Sequence, residues 1–274
     1  MNIGIKGGIM VRVIGIIGSG PIGSTIARFA VAAGFNVVLS NSRGKESLLT
    51  LIAELGALAC AGTPDEAACA GEIIIAAIPF YAYEKLPAES LKGKIVIDTM
   101  NYYPIRDGQI PDIDSGKFTT SELVQQHLKN SMVVKGLHNQ DAPHLYINAS
   151  RNDLTKRTTL PIAGNDEEAK TKVAEFLDAI GYNSMDAGSL IESWRIEPGT
   201  PIYLRPYAPQ VPDGLTREEV KKFYMNTPGK PLSEIEAKHL VAKAERKFPI
   251  GGFINDLPPG WLEIVEDSIN ANNK

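Results

Sequence analysis

The chain has 274 residues, of which 43% are hydrophobic and 22% are charged, and its formal net charge is -4. This composition is typical of a globular protein with a substantial core. The slightly acidic balance argues against non-specific binding to nucleic acid or to a membrane surface, because both would require a basic field. No apolar run approaches the roughly 20 residues that span a bilayer, so we predict a cytoplasmic protein that binds neither nucleic acid nor membrane.

The amino-terminal residues and the cysteines give little information about function. Residues 1–10 lack the apolar core of a signal peptide, and we exclude them from the fold prediction. Cys60 and Cys69 lie in an alanine-rich stretch, so we expect two buried free thiols. The histidines are scattered along the chain without metal-ligand spacing, and we predict no metal site.

Short apolar segments alternate with helical patterns through the first two thirds of the chain. Strands are predicted at 11–17, 35–40, 57–61, 72–78, 94–99, 132–137, 158–163 and 183–187. Helices are predicted at 21–33, 46–55, from Thr63 onward, 121–128 and 166–180. This alternation predicts an α/β fold with a doubly wound, mostly parallel Rossmann sheet.

The pattern changes after Trp194. Ten of the 18 prolines lie between Pro198 and Pro259, and only two helical segments are predicted there, at 216–225 and 232–247. Because this extension is also apolar, we expect it to pack as an arm or lid on the body or on a second subunit. A contact with a second subunit would make the protein a homodimer.

A glycine-rich motif joins the first predicted strand to the first helix. Its six residues are Gly18, Ser19, Gly20, Pro21, Ile22 and Gly23. In this context the first glycine makes a tight turn, the second lets a pyrophosphate approach the backbone, and the third lets the helix pack on the strand. The amino terminus of the helix then offers free N–H groups and partial positive charge to the phosphates. The motif therefore predicts a dinucleotide site.

The end of the second strand distinguishes the two nicotinamide cofactors. NAD sites usually have an acidic residue there, whereas this chain has Asn41, Ser42, Arg43 and Lys45 with no acid before Glu46. A guanidinium forms bidentate contacts with phosphate, and a carboxylate would repel the 2′-phosphate. We therefore predict NADP as the cofactor, bound within a domain that spans residues 11–190, with residues 191–274 as the extension.

Candidate residues around the nicotinamide, the reacting end of the cofactor, follow three of the central strands. In open α/β sheets the ligand lies at the carboxyl ends of the strands, so Ile78, Pro79 and Asn101 are expected around the nicotinamide. Reduction of a carbonyl or imine would also require a proton donor. His138 is the first candidate for this proton donor, although a purely structural role for the same histidine is an equal alternative. Tyr81 is the second candidate.

Other polar residues near this edge are consistent with either a functional or a structural role. Tyr103 is a further possible proton donor, although tyrosines in such loops more often serve packing. Arg195 and Arg205 would suit an anionic substrate, or would equally form ordinary salt bridges. His144 is expected to have no chemical role.

These motifs resemble the NADP oxidoreductase, coenzyme F-420-dependent family. The resemblance rests on the glycine motif, on Ser42-Arg43, on 77–80, on Leu137-His138 and on 161–166, and it extends over about residues 11–204. It implies that the glycine motif binds the pyrophosphate, that Ser42, Arg43 and Lys45 bind the 2′-phosphate, and that the residues after the fourth strand line the nicotinamide. The chain continues well beyond the resemblance, so the extension would cover or rebuild the second pocket.

Three functions are consistent with the sequence. The first is an oxidoreductase that transfers hydride between NADP(H) and a deazaflavin- or flavin-like acceptor, because such transfer requires positioning more than acid–base chemistry. The second is a reductase of small carbonyl or imine substrates. The third is a regulatory module that binds NADP(H) without turnover.

Overall fold

The structure is a computed structural model that describes residues 13–253 and 257–261. In these ranges eight strands form one sheet. They are β1 Val13–Ile17, β2 Asn36–Ser40, β3 Ala59–Ala61, β4 Ile73–Ala76, β5 Ile95–Asp98, β6 Met132–Lys135, β7 Thr159–Gly164 and β8 Asn183–Asp186. Each corresponds to a predicted strand, and the first two residues of the first prediction lie outside the described ranges.

Helices cover both faces and the carboxyl edge of the sheet. They are α1 Pro21–Ala32, α2 Leu49–Leu55, α3 Pro64–Ala70, α4 Pro104–Asp107, α5 Pro111–Asp114, α6 Thr120–His127, α7 Ala142–Ile147, α8 Glu167–Ile180, α9 Arg217–Asn226 and α10 Glu234–Ala242. The 3₁₀ helices at Phe80–Lys85 and Leu190–Ile196 were not predicted. Within the described residues, no helix combines the length and apolar character that crossing a membrane requires.

The strand order is β3-β2-β1-β4-β5-β6-β7-β8. Only β7 runs against its neighbour β6 among these pairings, with Val134 opposite Gly164. The order reverses between β1 and β4, and this switch point is where open α/β sheets bind their ligands. The predicted α/β class with a doubly wound, mostly parallel sheet is therefore confirmed.

Much of the extension packs against the sheet. Leu232, Ala237 and Val241 belong to the same hydrophobic cluster as the residues of β1 and β7. The backbone N–H of Thr159 donates to Leu232 O at 2.8 Å, which ties the extension to the first residue of β7. The helix predicted at 232–247 is shorter in the structure, because α10 ends at Ala242. This part of the extension thus contributes to the core.

The expectation of buried thiols was wrong, because Cys60 and Cys69 are both exposed. Cys60 is the middle residue of β3, which is the edge strand of the sheet, and its side chain points away from the covered face. Cys69 lies in α3, where Ala67 and Ala68 take the buried positions. Alanine-rich neighbours therefore did not indicate burial. In the described ranges, no three His, Cys, Asp or Glu side chains gather as a possible metal site.

A buried ion pair joins the carboxyl ends of β5 and β6. The side chains of Lys135 and Asp98 are both 0% exposed, and their Nζ and Oδ2 atoms lie 3.4 Å apart. Lys135 also donates to the carbonyl of Met100 and to Thr120 Oγ1, and Ser121 donates to Asp98 at 2.6 Å. Because an isolated buried charge is costly, these acceptors are required to stabilise the side chain of Lys135 in the core.

We expect Lys135→Met to lower the free energy of unfolding by roughly 3–5 kcal/mol, because it leaves the Asp98 carboxylate buried without its cation. Urea denaturation of the two proteins measures the difference. The matched control is Lys129→Met, which removes an exposed lysine and is expected to change stability by no more than about 0.5 kcal/mol. A loss below about 1 kcal/mol in Lys135→Met would show that the pair does not support the core.

Candidate functional site

The glycine loop is as tightly packed as its sequence indicates. Gly18 has φ +112°, and a Cβ there would lie 2.1 Å from the carbonyl oxygen of Ala77. A Cβ on Gly23 would lie 1.9 Å from the carbonyl oxygen of Gly18. Neither contact can be relieved by moving a flexible side chain, because both partners are backbone atoms. These two glycines therefore fix the turn and the approach of α1 to β1.

The middle glycine faces open space. A Cβ on Gly20 would meet nothing within 4 Å. Gly20 is the N-cap of α1, no side chain caps this helix, and its first turn contains no acidic residue. Pro21 is the first helical residue, and Ile22 follows it half-buried. The accessible backbone at Gly20 and the uncapped amino terminus of α1 suit the binding of a pyrophosphate group.

Asn41 links the glycine loop to the loop after β2. Its Nδ2 donates to Ser19 Oγ at 2.9 Å and to Ser47 Oγ at 2.8 Å. Its Oδ1 accepts from the backbone N–H of Arg43 at 2.8 Å. Asn41 is itself buried. The structure thus gives Asn41 a role in holding the two loops together, beside its predicted place in the cofactor site.

The side chains predicted to bind the 2′-phosphate differ in their availability. Ser42 and Arg43 are exposed at the end of β2, and Arg43 has no ion-pair partner among the described residues. Lys45 instead lies 2.6 Å from Glu66 Oε2, and the hydrogen bond from Lys45 lowers the pKa of that carboxyl group. Arg43 is therefore the cation best placed for a phosphate, and Lys45 is shared with Glu66.

Asn101 organises the carboxyl end of β5. Its Nδ2 donates to the carbonyl of His138 at 3.0 Å and lies 3.4 Å from the hydroxyl of Tyr203. Its buried Oδ1 has no hydrogen-bond partner among the described residues. Tyr203 also forms a short hydrogen bond with the hydroxyl of Tyr103. A buried acceptor without a partner is unusual in a folded protein, and a bound polar ligand or a water molecule would satisfy it.

His138 has the environment of a structural histidine. Its ring is 2% exposed, and Nε2 lies 2.8 Å from the carbonyl oxygen of Ile196. Since a carbonyl only accepts, Nε2 carries the hydrogen. Burial, followed by the charge of Lys135, holds the pKa of His138 well below its usual range. The geometry favours the alternative in which this histidine ties a loop backbone in place.

The loop that contains His138 is strained and multiply anchored. Leu137 has φ +56°, a conformation that costs a branched residue on the order of 1–3 kcal/mol. Besides the His138 ring, Asn139 holds this loop, because its carbonyl accepts from the backbone N–H of Leu204 at 2.9 Å. The segment around Leu190–Ile196 and the start of the extension thus fix the end of β6.

The remaining predicted residues are separated. Tyr81 is 56% exposed and its backbone N–H bonds to Asp107, whereas His138 is buried. Ile78 is half-buried and Pro79 is exposed at the end of β4. Arg195 pairs with Glu192 at 2.6 Å. Sequence reasoning missed Tyr203, whose only indication was its aromatic, proline-rich surroundings.

The strand order and the glycine loop define a Rossmann-type fold. Residues 13–102 match the family described as NADP oxidoreductase coenzyme F420-dependent. The match covers the first part of the sheet and confirms the resemblance to this family, whose description names an NADP oxidoreductase.

One curated protein and two solved structures are similar to this chain. The chain is 28% identical over 195 residues to Metalloreductase STEAP3 of Rattus norvegicus, and the match covers 70% of this chain but 37% of that protein. A hypothetical protein of Sinorhizobium meliloti has a similar structure, with a TM-score of 0.62 and 27% identity over 71% of this chain and 93% of its own. A candidate F420-dependent NADP-reductase from Arthrobacter sp. FB24 shares the fold, with a TM-score of 0.57 and 21% identity over 67% and 87% of the two chains.

The low pKa of His138 gives stability a dependence on pH. Below about pH 6.5 the unfolded histidine takes up a proton that the folded one does not. The free energy of unfolding therefore decreases as the pH is lowered, by up to about 1.4 kcal/mol per pH unit. Above that pH the contribution is constant. We expect His138→Gln, which keeps a donor for Ile196 O, to show a shallower slope in urea denaturation between about pH 7.5 and 5. Equal slopes in the two proteins would contradict a buried neutral His138.

Proposed function

We propose that the protein transfers hydride between NADP(H) and a planar acceptor ring of the deazaflavin or flavin type. One observation carries the proposal. The amino terminus of α1 has no side-chain cap, its N-cap Gly20 faces open space, and the exposed residues Ser42 and Arg43 lie at the end of the neighbouring strand β2. This arrangement suits a dinucleotide with an additional phosphate. Bound NADPH supplies the hydride.

The residues of the chain hold the cofactor in this proposal. The backbone from Ser19 to Gly23 receives the pyrophosphate, and Ser42 and Arg43 receive the 2′-phosphate, with Lys45 as a weaker contributor. Ile78 and Pro79 line the nicotinamide end. Asn101 offers its unpartnered buried Oδ1 as an acceptor for a polar hydrogen of the ligand.

The environment of His138 favours a planar ring as the hydride acceptor over a carbonyl substrate. Hydride transfer between stacked rings depends mainly on position and orientation, whereas carbonyl reduction requires an accessible acid. His138 is buried and its N–H is already donated to Ile196. Tyr81 is exposed to solvent, so neither predicted acid is held inside a closed site.

The hydrogen-bonded pair of Tyr103 and Tyr203 supports a second candidate, a reductase of small carbonyl or imine substrates. Both hydroxyls lie beside Asn101 at the carboxyl end of β5, where one of them would serve as a proton donor. A regulatory module that binds NADP(H) without turnover is the third candidate, and sustained oxidation of NADPH by any acceptor would exclude it.

We further propose a cytoplasmic homodimer. Two large apolar side chains of the extension, Ile235 and Phe248, are strongly exposed, and a second subunit would cover such residues. The sedimentation coefficient distinguishes the dimer from a monomer.

We expect Arg43→Ala to weaken NADPH binding by about 10- to 100-fold, because it removes a charge-assisted contact worth roughly 1.5–3 kcal/mol. NADH binding is expected to be unchanged. Paired calorimetric titrations of both nucleotides measure the selectivity, and Arg217→Ala on α9 is the matched control. Equal affinity of the unmodified protein for NADPH and NADH would contradict the assignment of the 2′-phosphate site.

The acceptor is tested with Tyr103→Phe, which removes one hydroxyl and keeps the ring. With flavin or deazaflavin acceptors we expect kcat to change less than threefold, because no proton has to be delivered by this residue. NADPH oxidation is followed against a panel of flavins, deazaflavins, quinones, aldehydes and imines. A fall of about 100-fold or more in kcat on an aldehyde or imine, with unchanged NADPH affinity, would instead support the carbonyl or imine reductase.

A further inference from the structure

A carboxylate without exposed surface links the loops that follow β4 and β5. The side chain of Asp107, the last residue of α4, is 0% exposed. Its Oδ1 accepts from the backbone N–H of Tyr81 at 3.3 Å, and its Oδ2 accepts from the backbone N–H of Tyr103 at 2.8 Å. Tyr81 lies 26 residues before Asp107 in the chain, so this contact joins two separate loops at the carboxyl edge of the sheet.

Arg106 supplies the cation that this carboxylate requires. Its Nε lies 2.8 Å from Asp107 Oδ1, and its Nη2 lies 2.8 Å from Asp107 Oδ2. The same Nη2 donates to the carbonyl oxygen of Asn101 at 2.6 Å, and the guanidinium lies 4.8 Å from the centroid of the Tyr103 ring. Because a buried carboxylate is stable only with a cation and N–H donors around it, the pair restrains Asn101 together with both loops.

The two loops also share a hydrophobic contact. The buried rings of Phe80 and Tyr102 lie 6.1 Å apart, with an angle of 64° between their planes. This contact does not involve the carboxylate. A change at Asp107 is therefore expected to leave the loops attached to each other and to shift their backbone, in particular at 78–79 and at Asn101.

We propose that Asp107 is a positioning residue for hydride transfer, which holds the two loops in the arrangement that the nicotinamide requires. The inference rests on the proposed function, in which 78–79 and Asn101 surround the nicotinamide, and it adds a residue that acts through the backbone of these loops. Reacting carbons have to lie about 3–3.5 Å apart, so a small displacement is enough to slow the transfer. The proposed phosphate contacts belong to α1 and to the end of β2, and Asp107 leaves them unchanged.

The first test measures the nicotinamide without turnover. Asp107→Asn keeps the shape of the side chain, but it retains one acceptor oxygen instead of two and removes the charge that pairs with Arg106. We expect the affinity for NADPH to change less than about threefold. The fluorescence lifetime of bound NADPH is expected to shorten toward that of the free nucleotide, because the reduced nicotinamide is less restrained. The matched control is Asp112→Asn on α5, whose side chain is 49% exposed and pairs with Lys117, and it is expected to change neither quantity.

The second test measures the rate with any acceptor that the unmodified protein reduces. We expect kcat to fall about 10- to 100-fold in Asp107→Asn, without a matching loss of NADPH affinity. A purely structural role would lower the free energy of unfolding and leave the lifetime and kcat of the folded variant unchanged. Arg106→Gln keeps the carboxylate with its two backbone N–H donors and removes the cation, so we expect smaller changes in the same directions.

The inference is overturned if Asp107→Asn has the lifetime and kcat of the unmodified protein, or if Asp112→Asn shows the same losses. If Asp107→Asn does not fold, an unchanged lifetime and kcat in Arg106→Gln overturn it. Failure of the unmodified protein to bind NADPH would reject the proposed function itself. Failure to reduce any flavin or deazaflavin would reject only the proposed acceptor, and the lifetime of bound NADPH would still test Asp107.

Discussion

The ammonium group of Lys135 has no exposed surface, so the structure around it must supply acceptors for every proton it carries. Those acceptors come from separate parts of the chain: Asp98 is the last residue of β5, Met100 follows β5, and Thr120 begins α6. Thr120 in turn donates to the buried Glu197 at 2.7 Å. Because a buried charge is tolerated only when its partners are in place, this network fixes β5, β6, α6 and the beginning of the extension relative to one another.

The two halves of the candidate site are held by different kinds of interaction. On the nucleotide side, backbone contacts too close for a Cβ define the loop at Gly18 and Gly23. On the acceptor side, side-chain hydrogen bonds of Asn101 and His138 fix the loops. Backbone geometry suits a ligand part that is the same in every NADP-dependent enzyme, whereas side chains can vary with the acceptor. This difference explains why the cofactor is easier to assign than the second substrate.

The sequence predicted what depends on local pattern and missed what depends on distant contacts. Apolar periodicity and the glycine spacing indicated the strands, their parallel arrangement and the nucleotide loop. The buried position of Lys135 and the hydrogen bond of Tyr203 to Tyr103, 100 residues apart, have no local pattern. Cys60 shows the reverse case, because its apolar neighbours suggested burial and only the strand order reveals that β3 is an edge.

The packing of the extension constrains how it can act on the acceptor site. Leu232 and Val241 lie in the main core, and Tyr224 is buried with its hydroxyl 2.7 Å from Asp141. Removing the extension would expose this surface and would test folding together with function. Opening it as one rigid lid would break the same contacts. An influence of the extension on the acceptor site therefore has to come from the side chains that it presents there, of which Tyr203 contacts Asn101 and Tyr103.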